Sequence, residues 1–183
     1  MTTILITGGA RSGKSRFAQE LASRLGQPVL FVATAEAGDE EMRQRIEEHR
    51  RARPTAWRTI ETHTHVGQQL LQKVGDARVV VVDCLTLLVS NILNQFLDPA
   101  GESIDAARAE KAVAREINEL IDCLSRVAAS FIIVTNEVGM GLVPVNKVGR
   151  AYRDLLGKVN QRLAESADEV YLMVSGRPLK IKP

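Results

Sequence analysis

The sequence predicts an α/β fold: a mostly parallel sheet flanked by helices, with one antiparallel edge strand at its C-terminal end. Three observations predict it. Short, continuously apolar, β-branched runs alternate with longer helical patterns, as strands buried on both faces of a parallel sheet alternate with their crossover helices. A G-x-x-x-x-G-K-S motif stands between the first apolar run and the first helical pattern. The last apolar run leads into a link too short for a crossover, which favours an antiparallel neighbour.

Each element can be justified in order. ILIT (4–7) is the first strand, and GGARSGKS (8–15) follows it. A helix opens after Gly13 with Phe17, Leu21 and Leu25 on one stripe, and stops at Gly26 with Pro28 beyond. VLFVAT (29–34) is the second strand. Residues 39–53, DEEMRQRIEEHRRAR, read as a helix, with acids in the first turn and arginines in the last, as the helix dipole prefers. VVVVD (79–83) is the third strand and leads into helical LTLLVSNIL, while DPAGES (98–103) is an exposed connection. A long helix over 105–127 carries Val113, Ile117, Leu120, Ile121 and Leu124 on one stripe. FIIVT (131–135), a helix over 147–164 carrying Tyr152, Leu155, Leu156, Val159 and Leu163, and VYLMVS (170–175) complete the alternation. Residues 179–181 form the edge strand.

A chain of 183 residues suits a single domain over 1–183. The net charge of +2 and 4% aromatic content do not suit a nucleic-acid binder. No apolar run approaches a membrane span, and MTTILITGG is too short and glycine-rich for a signal peptide, so a cytoplasmic location is expected. Cys84 and Cys123 lie far apart in apolar contexts and read as buried, reduced thiols.

The motif residues Gly8, Gly9, Ala10, Arg11, Ser12, Gly13, Lys14 and Ser15 have the strand–loop–helix context that a phosphate loop needs. Glycines let successive N–H groups point at phosphate oxygens, and the helix N-terminus adds its positive end. Lys14 is expected at the β- and γ-phosphates, and Ser15 at Mg²⁺. Asp83, at the end of a buried strand, suits Mg²⁺ as well. Taken alone, it would serve equally as the N-cap of the helix that follows. These features point to an enzyme that binds a nucleoside triphosphate.

His49 raises a different possibility. It stands among arginines in RIEEHRRARPTAW, and Met42, Ile46, His49 and Arg53 share one helical face, turned with the apolar residues and away from bulk solvent. Periodicity alone favours a packed histidine. The arginines favour an uncharged ring, which is a nucleophile, and they suit the charge that builds on an attacked phosphate. A neutral histidine beside a bound triphosphate fits covalent nucleotidyl transfer. Glu61 suits a guanine edge or, equally, a solvated strand end. Asn136 and Glu137, after FIIVT, lie at the carboxyl end of the sheet, where they suit a γ-phosphate or a water, or else brace the two glycines that follow. His63 and His65 in THTH read as exposed residues at a helix start.

GGARSGKS, the ATA after strand two, HRRARPTAWRTIE (49–61), VVVVDCLTLLVSN (79–91), TNEVGMGLVP (135–144) and YRDLLGKVNQRLAESADEVYLMVSG (152–176) span nearly the whole chain in order. Together they resemble the bifunctional adenosylcobinamide kinase / adenosylcobinamide-phosphate guanylyltransferase family of cobalamin synthesis. The resemblance implies a recombinase-like phosphate-loop NTPase fold and a homotrimer. It implies phosphorylation of adenosylcobinamide with ATP or GTP, then transfer of GMP from GTP to the new phosphate through a GMP–histidine. The register of the downstream RP and W places that histidine at His49, although relatives can carry one at the position of Glu48. It also implies nucleotide contacts from Gly8 to Ser15 and from Ala33, Thr34, Ala35, Arg50, Arg51, Ala52, Arg53, Glu61 and Asp83. A monofunctional small-molecule kinase would share the phosphate loop and Asp83 but would have no use for a nucleophilic histidine. A recombinase-like motor would need DNA affinity with a steep salt dependence.

Overall fold

The computed structural model describes the backbone of residues 1–183 and every side chain except that of Arg45. The strands are β1 (Thr3–Gly8), β2 (Val29–Ala33), β3 (Arg58–Glu61), β4 (Val79–Asp83), β5 (Ser130–Val134), β6 (Glu169–Val174) and β7 (Arg177–Lys182). The helices are α1 (Lys14–Leu25), α2 (Glu40–Arg51), α3 (Val66–Lys73), α4 (Leu85–Asn94), α5 (Ala106–Arg126) and α6 (Lys147–Ser166). One seven-stranded sheet has the order β3-β2-β4-β5-β1-β6-β7. Every pairing is parallel except β6 with β7. The fold is therefore the expected α/β sheet with its antiparallel edge strand.

The central strands are apolar on both faces because both faces are covered. Leu5, Val80, Val82, Phe131 and Ile133 pack with α3, α4, α5 and α6. Ile4, Ile6, Val79, Val81, Ile132 and Val134 pack with Ala18 and Ala22 of α1 and with Trp57. The α1 stripe thus differs from the expected one: Ala18 and Ala22 are fully buried, Phe17 and Leu21 flank them, and Leu25 is exposed. Small residues let this helix lie close against the sheet. Phe17 packs edge-on to Tyr171 instead, with ring centroids 5.2 Å apart.

Two elements escape a reading by hydrophobic pattern. β3 is an edge strand, RTIE, whose residues are mostly exposed, so it has no apolar run. α3 follows it and is capped in trans: Glu116 of α5 accepts the N–H groups of His65 and Val66 at 2.8 and 2.7 Å. The connection 98–103 is a built turn in which Asp98 accepts from the Glu102 N–H and the Ser103 hydroxyl. Among the described residues, no helix is long and apolar enough to cross a membrane.

Candidate active site

All six parallel strands end on one edge of the sheet, and the chemistry-bearing residues gather there. The loop after β1 is shaped by glycine. Gly8 has φ +148°, and a Cβ there would lie 2.6 Å from the Met173 carbonyl oxygen. Gly13 has φ +95°, and a Cβ there would sit 3.2 Å from Gly176 Cα. The loop is therefore backed by the β6–β7 turn, whose Gly176 N–H donates to the Ser12 carbonyl at 3.0 Å. That turn has positive φ at both Ser175 and Gly176, the two-residue hairpin geometry that Ser-Gly suits.

Lys14, the first residue of α1, is buried, and its ammonium donates to the Gly8 and Gly9 carbonyls at 3.0 and 2.6 Å. Burial lowers its pKa, while Cys84 and Asp83 work in the opposite sense. Asp83 ends β4 directly beside it. Burial pushes the Asp83 carboxyl above its ordinary value, against a hydrogen bond from Ser15 and the proximity of the His49, Lys14 and Arg53 side chains. One carboxylate thus feels the phosphate-loop lysine and serine together with the histidine and an arginine of a different segment. The chain leaves β4 through a cis peptide between Asp83 and Cys84.

α2 is capped by Asp39, which accepts the Met42 N–H at 2.7 Å. Its C-terminal end brings His49 within electrostatic reach of Asp83. His49 is exposed, and this corrects the expectation that it faces away from solvent. The reason is that none of the described residues of α2 is buried: Met42 and Ile46 are only half-buried, so sharing their face does not bury the ring. Arg53 lies 3.6 Å from the Phe31 ring centroid and donates to the Thr59 hydroxyl at 2.8 Å. Arg50 pairs with Glu61. Arg51 instead turns to Glu47 at 3.3 Å, and Ala52 is exposed.

Thr34 turns its side chain to the protein's own backbone. It is fully buried, and its hydroxyl donates to the Cys84 carbonyl at 2.6 Å while accepting the Cys84 N–H at 2.9 Å. It staples the end of β2 to the end of β4 and so fixes the backbone beside Asp83. Ala33 and Ala35 on either side stay partly exposed. Asn91 of α4 donates to the Thr34 and His63 carbonyls at 2.9 and 3.1 Å, and the His63 ring lies 3.4 Å from the Thr34 carbonyl. His63 is thus half-buried in this network, contrary to the exposed position expected, whereas His65 is exposed at the start of α3. Cys84 packs against the apolar layer under α1, as expected, and also lies near Lys14 and Asp83.

Beyond β5, the Glu137 N–H donates to the Gly8 carbonyl at 3.0 Å, and its carboxylate accepts the Gly139 N–H. Asn136 is held by its backbone: its N–H donates to Thr86 at 2.7 Å, and its carbonyl accepts from Asn160 at 2.9 Å. Sequence reasoning missed Asn91, Asn160 and Thr86, which act through hydrogen bonds between distant segments and leave no local motif. Among the described residues, no cluster of three or more His, Cys, Asp or Glu groups could hold a metal ion by itself.

Fold and loop together define a phosphate-loop α/β protein. A model of the CobU family, described as cobinamide kinase / cobinamide phosphate guanyltransferase, matches residues 4–181. The chain belongs to this family and is an enzyme of the kinase and nucleotidyltransferase kind. It is 44% identical over 180 residues to the bifunctional adenosylcobalamin biosynthesis protein CobU of Escherichia coli (strain K12), covering 98% of this chain and 99% of that protein. It is 40% identical over 178 residues to the bifunctional adenosylcobalamin biosynthesis protein CobP of Pseudomonas aeruginosa (strain PAO1), covering 97% and 96%. Among solved structures, the RadB recombinase superposes with a TM-score of 0.49 at 17% identity, over 93% of this chain and 73% of that one.

Proposed function

We propose that the chain phosphorylates the aminopropanol hydroxyl of adenosylcobinamide with ATP or GTP, then transfers GMP from GTP to the new phosphate through His49. The observation that carries this reading is the convergence of Lys14, Ser15, Arg53 and His49 on Asp83. A kinase alone accounts for the first two and leaves the histidine without work.

In the first step the loop N–H groups and Lys14 hold the triphosphate, and the substrate hydroxyl attacks the γ-phosphorus; the bond to the β–γ bridging oxygen breaks, the nucleoside diphosphate leaves with the electron pair, and the hydroxyl proton passes to solvent. Ser15 and Asp83 fit Mg²⁺: a hydroxyl and a carboxylate stand side by side, and few protein ligands suffice where phosphates and water complete the shell. When bound, the ion neutralises charge on the phosphate oxygens. In the second step an imidazole nitrogen of His49 attacks the α-phosphorus of GTP. The N–P bond forms as the bond to the β-phosphate oxygen breaks, and pyrophosphate leaves with the electron pair. Asp83, within electrostatic reach of both His49 and Arg53, would balance the positive charge that the ring gains, and Arg53 would meet the phosphate charge. An oxygen of adenosylcobinamide phosphate then attacks the same phosphorus, the N–P bond breaks, and adenosylcobinamide-GDP is released. Arg50 and Glu61, paired here, would separate to meet phosphate and the guanine edge.

The test is mass spectrometry of the chain with GTP and Mg²⁺, seeking an added, acid-labile GMP on the peptide holding His49. His49→Ala should keep kinase activity and lose both the label and pyrophosphate release. Loss of both activities would make the histidine structural, and retention of the label would place the nucleophile elsewhere.

A further inference from the structure

We propose that the loop 140–145, together with the groove beside it, is the docking surface for the corrin ring of the acceptor. This rests on the reading under Proposed function. Four residues in this six-residue run are large, apolar and solvent-exposed: Met140 at 80%, Leu142 at 96%, Val143 at 63% and Val145 at 97%. Such a run on a surface marks a binding site.

The backbone beneath it is braced at both ends. Glu137 ties the start of the loop to the Gly8 carbonyl at 3.0 Å. At the far end, Arg150 donates to the Pro144 and Val145 carbonyls at 2.9 and 2.5 Å, and Asn146 accepts the Gly149 N–H at 2.6 Å. The apolar side chains are therefore presented on a fixed backbone, which lowers the ordering cost of binding.

Position selects the occupant. Met140 is three peptide steps on from Glu137, at most about 11 Å of extended chain, so the apolar shelf starts beside the phosphate loop. The other exposed large apolar side chains are scattered: Met1, Leu25 and Leu71 lie at the opposite edge of the sheet, Val174 stands singly at the end of β6, and Leu179 and Ile181 run down β7. A kinase acceptor must bring its hydroxyl to the γ-phosphate, and a corrinoid brings a broad, largely apolar ring with it. Next to Val145, a groove of about 630 Å³ between α4, the 98–103 turn and the start of α6 is lined by Ser90, Asn94, Glu102, Asn146 and Tyr152 among others. Its hydroxyl and amide groups match the amides that fringe a corrin ring.

Equilibrium dialysis of cobinamide against the full chain, followed by the corrinoid's visible absorbance, tests the assignment. The variants are Leu142→Ser and Val145→Ser, with Leu71→Ser as a control far from the loop. Both loop variants should bind cobinamide at least tenfold more weakly, and Leu71→Ser should bind normally. GTP affinity by calorimetry should stay within twofold in all three, and sedimentation coefficients should not change. Unchanged cobinamide binding in both loop variants overturns the proposal while leaving the proposed function intact. A fall in sedimentation coefficient accompanying the loss overturns it as well, by assigning the loop to an interface between copies. If the unaltered chain binds GTP but no cobinamide, the functional reading fails and takes this docking surface with it.

Discussion

Lys14 keeps its ammonium on two loop carbonyls, and the Cys84 thiol lies within electrostatic reach of Lys14 and Asp83. Removing the lysine takes away a preorganised cation at developing phosphate charge, so Lys14→Ala should lower kcat of both reactions by about 10²–10³-fold. Steady-state assays of each half-reaction check this; an undiminished guanylylation step would mean that GTP uses a second pose. Burial, and then the neighbouring Asp83, push the Cys84 thiol up to about 11. The thiolate is the reactive form, so alkylation of Cys84 by iodoacetamide should rise about tenfold per pH unit from pH 8 to 10. A rate that levels off near pH 9 would show an ordinary thiol. Peptide mapping separates it from Cys123, whose thiol burial also raises to about 11.

Between elements, the contacts that matter join α3 to α5 and the β6–β7 turn to the phosphate loop. Glu116 satisfies one buried and one partly buried N–H at the start of α3, so Glu116→Ala should cost about 2–3 kcal/mol, with Glu116→Gln recovering part of it. A Cβ on Gly67 would lie 2.4 Å from the Glu119 carbonyl oxygen of α5, so Gly67→Ala must push the two helices apart, at about 1–3 kcal/mol. Urea unfolding measures both, and a neutral Gly67→Ala would mean that α3 is free to shift. Gly176 has φ +77° and supplies the N–H that holds Ser12. Gly176→Val should therefore weaken GTP binding severalfold although the residue touches no phosphate, which calorimetry would detect.

For the whole molecule, the carboxyl edge of one sheet carries the phosphate loop, Asp83 and the loop after β5, and the end of α2 reaches in from outside it. A nucleotide bridging them stabilises only the folded chain. At about 100 times Kd, Mg·GTP should add about 2.7 kcal/mol, or about 8 °C in Tm for a chain of this size. Thermal unfolding with and without Mg·GTP measures it, and Lys14→Ala should abolish most of the shift. A full shift in that variant would place the nucleotide away from the phosphate loop.

The core strands, the long helices and the phosphate loop were legible in the primary structure because each is written in a local pattern: a period, a glycine spacing or a cap. β7 was legible from the shortness of its link. His49 was legible as a residue of interest, but not its exposure, because a helix face is buried only if something packs on it, and no described residue of α2 is buried. Tertiary structure alone decided that β3 pairs at the edge, that Thr34 staples β2 to β4, and that a hairpin turn backs the phosphate loop. Those arrangements are made by hydrogen bonds and close approaches between segments dozens of residues apart, and a one-dimensional pattern carries no record of which distant partners the sheet order will bring together.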